Sequence, residues 1–198
     1  DRRGGRRAHY QTGAGHPSLP VTHRSTGAII APATPPGRSA LAVVRLSGPD
    51  LEAVVLQFCR PRSGRLRRRP VRVELFDQGG VFDDAVAVLL PAPATYTGED
   101  VAEISCHGNP VIVDRLLAAA GRVGVRLARP GEFTRRAVEF GKLDLIGAEA
   151  VDQITRAASA SGLAIARAGL DGRHSSAVQQ MRASLVDVAA ELEARLDY

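Results

Sequence analysis

Cysteine, lysine and long apolar runs are all scarce in this sequence, and each scarcity excludes something. Cys59 and Cys106 stand 47 positions apart with no CxxC spacing. That argues against a disulfide framework or a structural zinc site and makes a reducing cytoplasm the expected location. The longest apolar run is six residues, Ala85 to Leu90, far below the roughly 18 that a membrane-spanning helix needs, so a soluble chain is expected. A Walker phosphate loop requires glycine five residues before its Gly-Lys pair and Ser or Thr after it. Gly141-Lys142 has Arg136 and Leu143 at those positions. GxSxG, HExxH and the dinucleotide fingerprint are also missing. The five histidines are scattered, three of them within the first 24 residues, so no metal site is expected.

What is present suffices for a core: 198 residues with 44% apolar content can build one ordinary domain and a smaller attachment. The net charge of +5 is unevenly spread. Residues 1–24 carry +4, leaving +1 for everything from Ser25 onward. Within that remainder, Arg60, Arg62, Arg65, Arg67, Arg68, Arg69 and Arg72 contribute +7 with no acid among them. The protein thus has a basic arm and one basic segment, able to hold phosphates or to form a solvated loop.

The arm, rich in Gly, Arg, His and Pro, has no periodic apolar pattern and is expected to be disordered. Strands are expected over 27–31 and 41–46, flanking the turn Thr34-Pro35-Pro36-Gly37-Arg38. Pro32 suggests an edge position or a bulge. A helix over 49–58 follows, then strands at 71–76 and 85–90 around a turn at 77–80, a strand at 101–106, a helix at 111–120, a strand at 123–127 and a short helix at 133–140. Strands joined by short turns favour an α+β domain with a mixed or antiparallel sheet. After Lys142 the chain is alanine-rich and has no proline. Val178, Met181, Leu185, Val188, Leu192 and Leu196 recur at steps of three and four and draw one stripe along a helix. The helix expected over 148–168 has too few large side chains to cover that stripe, which points to a longer protein or an oligomer.

Four loops could carry chemistry. Thr34 to Arg38 makes a stiff turn that aims a guanidinium. Thr95 to Asp100 sets hydroxyls and carboxylates before a strand in which Glu103 lies on the face opposite Ala102 and Ile104, as solvent surface or as a ligand in a cleft. Cys106-His107 is a poor nucleophile and base pair, because strand neighbours point to opposite faces. Lys142 is the one lysine beside 25 arginines, a compact ammonium where the chain otherwise uses planar forks.

Six segments, taken in order, resemble the tRNA-modification GTPase family MnmE, also called TrmE. They are Ala33-Thr34-Pro35-Pro36-Gly37-Arg38; Ala42-Val43-Val44-Arg45-Leu46-Ser47-Gly48-Pro49; Tyr96-Thr97-Gly98-Glu99-Asp100-Val101; His107-Gly108; Arg129-Pro130-Gly131-Glu132-Phe133-Thr134; and Gly141-Lys142-Leu143-Asp144-Leu145 with Ala148-Glu149-Ala150. The resemblance departs at Ser39, Asn109, Phe140 and Gly147; Asn109 stands where glycine is common and is able to adopt a left-handed turn. It implies a folate-binding, dimerising domain over residues 25–140 and the first helices of a helical domain over 141–198. The GTPase domain, with its GTP, magnesium and potassium, would be a further part of the protein.

It also implies a role in modifying carbon 5 of the tRNA wobble uridine, with a homodimer, the flavin-dependent subunit MnmG and tRNA as partners, and 5-formyl- or 5,10-methylene-tetrahydrofolate as cofactor. Arg45, Glu103 and Lys142 carry over as folate contacts, with Arg38 near them. No catalytic residue and no activity of its own are expected of this chain. Two other readings stand beside this one: an RNA-binding or assembly module built on the 60–72 arginines without a folate pocket, and a stand-alone folate-dependent one-carbon transferase.

Overall fold

A computed structural model describes residues 27–62, 64–171 and 173–196; the arm expected over 1–24 lies outside them. Its first half is a seven-stranded sheet. The strands are β1 (Ile29–Pro32), β2 (Ser39–Gly48), β3 (Cys59–Pro61), β4 (Val71–Asp77), β5 (Gly80–Leu90), β6 (Asp100–Gly108) and β7 (Arg126–Leu127), ordered β3-β4-β5-β6-β2-β1-β7. Every pairing is antiparallel except β1 with β7. The sheet is mixed, and with its helices the fold is α+β, as the short turns implied.

Period-two alternation divides each strand between two faces. One face carries Ile30, Val44, Leu46, Val73, Leu75, Ala87 and Ile104, all buried beneath α1 (Leu51–Val55) and α2 (Pro110–Arg122), which add Leu51, Val55 and Leu116. Each large apolar side chain so buried contributes about 1.5–3 kcal/mol relative to exposure. α2 starts where it does because Asn109 accepts a hydrogen bond from the Val111 N–H (3.0 Å) and Pro110 occupies the first turn, where its missing N–H costs nothing. Asn109 is therefore extended (φ −118°) and acts as a cap, not as a left-handed turn residue.

Several boundaries differ from the sequence expectation. α1 is five residues long, and Pro49 precedes it instead of lying in its first turn. The chain leaves the helix to bury Phe58, whose carbonyl accepts from Phe76, and Cys59–Pro61 then pairs with β4 as an edge strand that no local pattern announced. β5 begins at Gly80, five residues early, and a bulge opposite Leu75 and Phe76 absorbs the extra residue. β7 keeps two residues of the expected 123–127, because Val123 and Val125 bond back to Ala120 in the turn that ends α2. Pro32 ends β1. Ala33 donates to Val43 on one flank while Ile30 accepts from Ala128 on the other, so the Pro32 nitrogen points to the β7 flank just past the last β7 pairing, at Ile30 and Leu127.

The second half is helical: α3 (Glu132–Glu139), α4 (Leu145–Arg156), α5 (Ala160–Leu170) and α6 (Arg173–Leu196). The single helix expected over 148–168 is two. Ala157 turns extended (ψ 120°), and Ser159 caps α5 by accepting from the Gly162 N–H (3.1 Å). α4 begins earlier than expected, with Asp144 accepting from the Gly147 N–H (2.7 Å). α6 forms as its periodicity predicts, about 36 Å long at 1.5 Å per residue, and its apolar stripe is exposed. Among the described residues no helix is long and apolar enough to cross a membrane.

Candidate functional site

The second face of the sheet carries the residues singled out by the sequence. The strand registers align Leu90, Val101, Ser47 and Ile29 in one row, Val88, Glu103, Arg45 and Ala31 in the next, and Arg72, Val86, Ser105 and Val43 in a third. In the middle row Arg45 and Glu103 are direct cross-strand partners. The Arg45 Nε donates to Glu103 Oε1 at 2.9 Å and its Nη2 lies 2.7 Å from the same oxygen, both side chains being 35% exposed. Among the described residues Glu103 Oε2 accepts no hydrogen bond, so one carboxylate oxygen stays available between small and apolar neighbours.

The adjoining end of this face is closed by charge. Ser47 shares a hydrogen bond with the Thr97 hydroxyl (2.7 Å) and donates to Glu99 Oε2 (2.9 Å). The same Glu99 oxygen accepts from Nη1 of Arg136 (2.8 Å), which is wholly buried. Arg136 Nη2 donates to the Gly27 carbonyl (3.0 Å) and lies 3.5 Å from Glu132 Oε1. Glu132 in turn takes two bonds from Arg126 (2.8 and 2.6 Å) and one from the Arg129 N–H (2.8 Å). The Arg126 bonds come first, against the cost of burial, in holding the Glu132 carboxyl down to about 2. The Arg136 Nε is buried without a hydrogen-bond partner among the described residues.

Lys142 follows in the turn after α3. Its N–H and that of Leu143 both donate to Ala137, which folds the segment back over Gly98. Gly98 has φ +83°, and a methyl group there would stand 2.8 Å from Phe140 Cβ and 3.2 Å from Lys142 Cγ, so the lysine stem lies directly on the Thr95 to Asp100 loop. Tyr96 adds a hydroxyl bond to Thr134 (2.9 Å). The fold thus joins Arg45 to Glu103 and sets Lys142 beside the loop that holds Ser47, two residues along β2 from Arg45. Arg38 is set apart. It precedes Ser39 at the other end of β2, about 20 Å from Arg45 at roughly 3.3 Å per strand residue.

Neither of two surface concavities includes the Arg45–Glu103 pair. One, of about 550 Å³, runs between α3 and α4 past Val138, Leu145 and Val151; the other lies by Asp50, Glu52, Arg65 and Asp100. The pair lies instead on an open, half-covered sheet face. Cys106 and His107 diverge as strand neighbours must. The Cys106 thiol is buried and donates to the Ala42 carbonyl (3.6 Å), while His107 is exposed beside Asp83 (2.6 Å). Burial pushes both thiols up, that of Cys59 to about 12.

The buried Glu99–Arg136–Glu132 chain is what sequence reading missed, although its acids belong to two of the six resembling segments. The available signal was the spacing of Glu132 and Arg136, four apart on a helix face shared with Phe133 and Ala137.

Comparison with known proteins bears on the same segments. Residues 28–142 match the family described as GTP-binding protein TrmE N-terminus. A tRNA modification GTPase MnmE of Thermotoga petrophila is 41% identical over 170 residues, covering 86% of this chain and 38% of the relative. The protein of that name from Chloroflexus aurantiacus is 44% identical over 173 residues, and that from Azoarcus sp. 41% over 179. The chain spans 38% of the length of these relatives. With the match running across β1 to the turn that bears Lys142, the chain belongs to the TrmE N-terminus family.

Proposed function

We propose that this chain is the folate-binding, dimerising part of a GTPase that modifies carbon 5 of the tRNA wobble uridine. In this reading residues 25–140 form the folate domain and 141–198 the first helices of a helical domain. GTP hydrolysis, with its magnesium and potassium, belongs to a further domain, and the isolated chain is catalytically inactive. The partners are a second copy, the flavin-dependent MnmG and tRNA, in the cytoplasm.

The observation that carries the reading is the Arg45–Glu103 pair on an open face with a free carboxylate oxygen. The donor set fits a reduced folate. A pterin presents adjacent N–H donors that a carboxylate accepts, Val88, Ala31 and Val43 offer a small apolar floor, and the Lys142 ammonium suits an anionic glutamate tail. When bound, a 5-formyl- or 5,10-methylene-tetrahydrofolate supplies the one-carbon unit. Arg45 orients Glu103, Glu103 accepts from the ring, and Lys142 meets the tail. Arg38, at the far end of β2, reaches this site only from a second copy laid across the face, which would also cover its apolar rows.

Titration calorimetry with 5-formyltetrahydrofolate tests the reading. Removing one member of a buried charged contact costs roughly 2–5 kcal/mol, so Glu103→Ala and Arg45→Ala are each expected to weaken binding at least about 30-fold. No binding by the wild-type chain at millimolar ligand refutes it. Turnover by the chain alone would favour a stand-alone transferase.

A further inference from the structure

The arginines of the 60–72 segment are not used by the site above, and they lie at the far edge of the same sheet. Arg60 lies on β3 opposite Glu74 of β4, and Arg62, just past the end of β3, donates its N–H to the Arg72 carbonyl (2.9 Å). Two acids answer part of this charge: Glu74 lies 3.7 Å from Arg60 and 3.5 Å from Arg62, and Asp84 lies 2.6 Å from Arg62. Arg65 borders the concavity that holds Asp50, Glu52 and Asp100. Arg67, Arg68, Arg69 and Arg72 remain, all exposed, with no carboxylate within ion-pair distance among the described residues.

These four are held in place. Leu66 is buried in the core, and the Leu89 N–H on β5 donates to the Arg67 carbonyl (2.9 Å), so the basic loop is tied to the sheet from below. Four exposed arginines within six positions of an ordered segment concentrate positive charge, which an anionic partner relieves.

We infer that Arg67, Arg68, Arg69 and Arg72 form a docking surface for the phosphate backbone of a folded RNA, read by charge and not by sequence. The loop offers no exposed aromatic on which single-stranded bases could stack. The nearby Phe76 is half-buried, with the Arg60 guanidinium 4.9 Å from its centroid. The one large apolar side chain of the loop, Leu66, is buried, so the loop itself offers no apolar group to insert into a bilayer or to fill a protein partner's pocket. Paired RNA, whose phosphates lie in regular rows, is what remains. That this RNA is the tRNA rests on the function proposed above; the surface itself does not.

Fluorescence anisotropy of the 198-residue chain with a labelled RNA hairpin of unrelated sequence, and with a tRNA transcript, tests this across a salt series. Each phosphate neutralised adds about 0.7–0.9 to the slope of log affinity against log salt. The variant R67S/R68S/R69S is therefore expected to bind both RNAs at least about tenfold more weakly at low salt and to lose about 2–3 from that slope. The arginines of the first 24 residues are common to both proteins, so the difference reads the loop alone. Circular dichroism checks the fold of the variant, and R68E, a single exposed change, gives the same test should the triple variant unfold.

Glu103→Ala is expected to leave RNA affinity unchanged while weakening folate binding at least about 30-fold. RNA binding without folate binding would thus sink only the previous proposal. Equal affinity and slope for wild type and variant overturn the inference. So does capture of phosphatidylserine vesicles that RNA fails to compete away.

Discussion

Replacing Arg136 with methionine removes the charge at the centre of the buried network while keeping most of its volume. In the native chain Arg136 is wholly buried and bonds Glu99 at 2.8 Å and the Gly27 carbonyl at 3.0 Å, with Glu132 at 3.5 Å. Glu132 keeps Arg126 and the Arg129 N–H after the change, but the buried Glu99 carboxylate keeps only the Ser47 hydroxyl. Removing one partner of a buried ion pair typically costs about 3–5 kcal/mol, because the remaining charge is desolvated and unanswered. Relief of the orphaned Nε returns about 1 kcal/mol, so a net loss of about 2–4 kcal/mol is expected at pH 7. At roughly 2–4 °C per kcal/mol for a chain of this size, the melting midpoint should fall by about 10 °C.

Urea titration followed by circular dichroism, with the near-ultraviolet signal of Tyr96 as a local probe through its bond to Thr134, measures the loss. A second change, Glu99→Gln on the Arg136→Met background, should recover part of it, since the stranded charge is then gone. A loss below about 1 kcal/mol, or no recovery in the double variant, would refute the view that Arg136 neutralises Glu99 across this end of the sheet.

Glu132 supplies an acid-dependent prediction. Its carboxyl is held down to about 2 from an ordinary value near 4.5, so its contribution is complete above about pH 4.5 and disappears as the pH falls through 2. Between these limits stability should drop by on the order of 2–3 kcal/mol, and Glu132→Gln should flatten that part of the urea-midpoint profile. Gly98→Ala forces a side chain into a left-handed conformation and against Phe140 and Lys142. A loss of about 2–4 kcal/mol is expected by thermal melting, with folate affinity falling as well because the Lys142 stem must move.

Much of the fold could be read from local pattern, and the exceptions have physical causes. β2, β4 and β6 alternate cleanly because one face of each packs on the helices, and α2 announces itself through Asn109, Pro110 and its apolar spacing. β3 could not be read: Cys59–Pro61 is a strand only because β4 offers it an edge. The break between α4 and α5 depends on Ser159 taking a cap instead of a mid-helix position, a choice the alanine-rich surroundings leave open.

Of the candidate site, Arg45, Glu103 and Lys142 stood out through the resembling segments, and the strand registers explain why Arg45 and Glu103 meet. Glu132 and Arg136 did not stand out, since charged residues four apart are the ordinary dress of a solvated helix face.

Family membership, the α+β class and the unevenness of charge all followed from residue order, because motifs, alternation and arginine runs are local properties of the chain. Tertiary structure alone decided that Arg45 faces Glu103, that Arg136 lies inside, and that Arg38 stands a strand's length from its expected companions. Those relations depend on strand order and register, and the free energy that selects them comes from surfaces brought together across 58 to 109 positions of sequence.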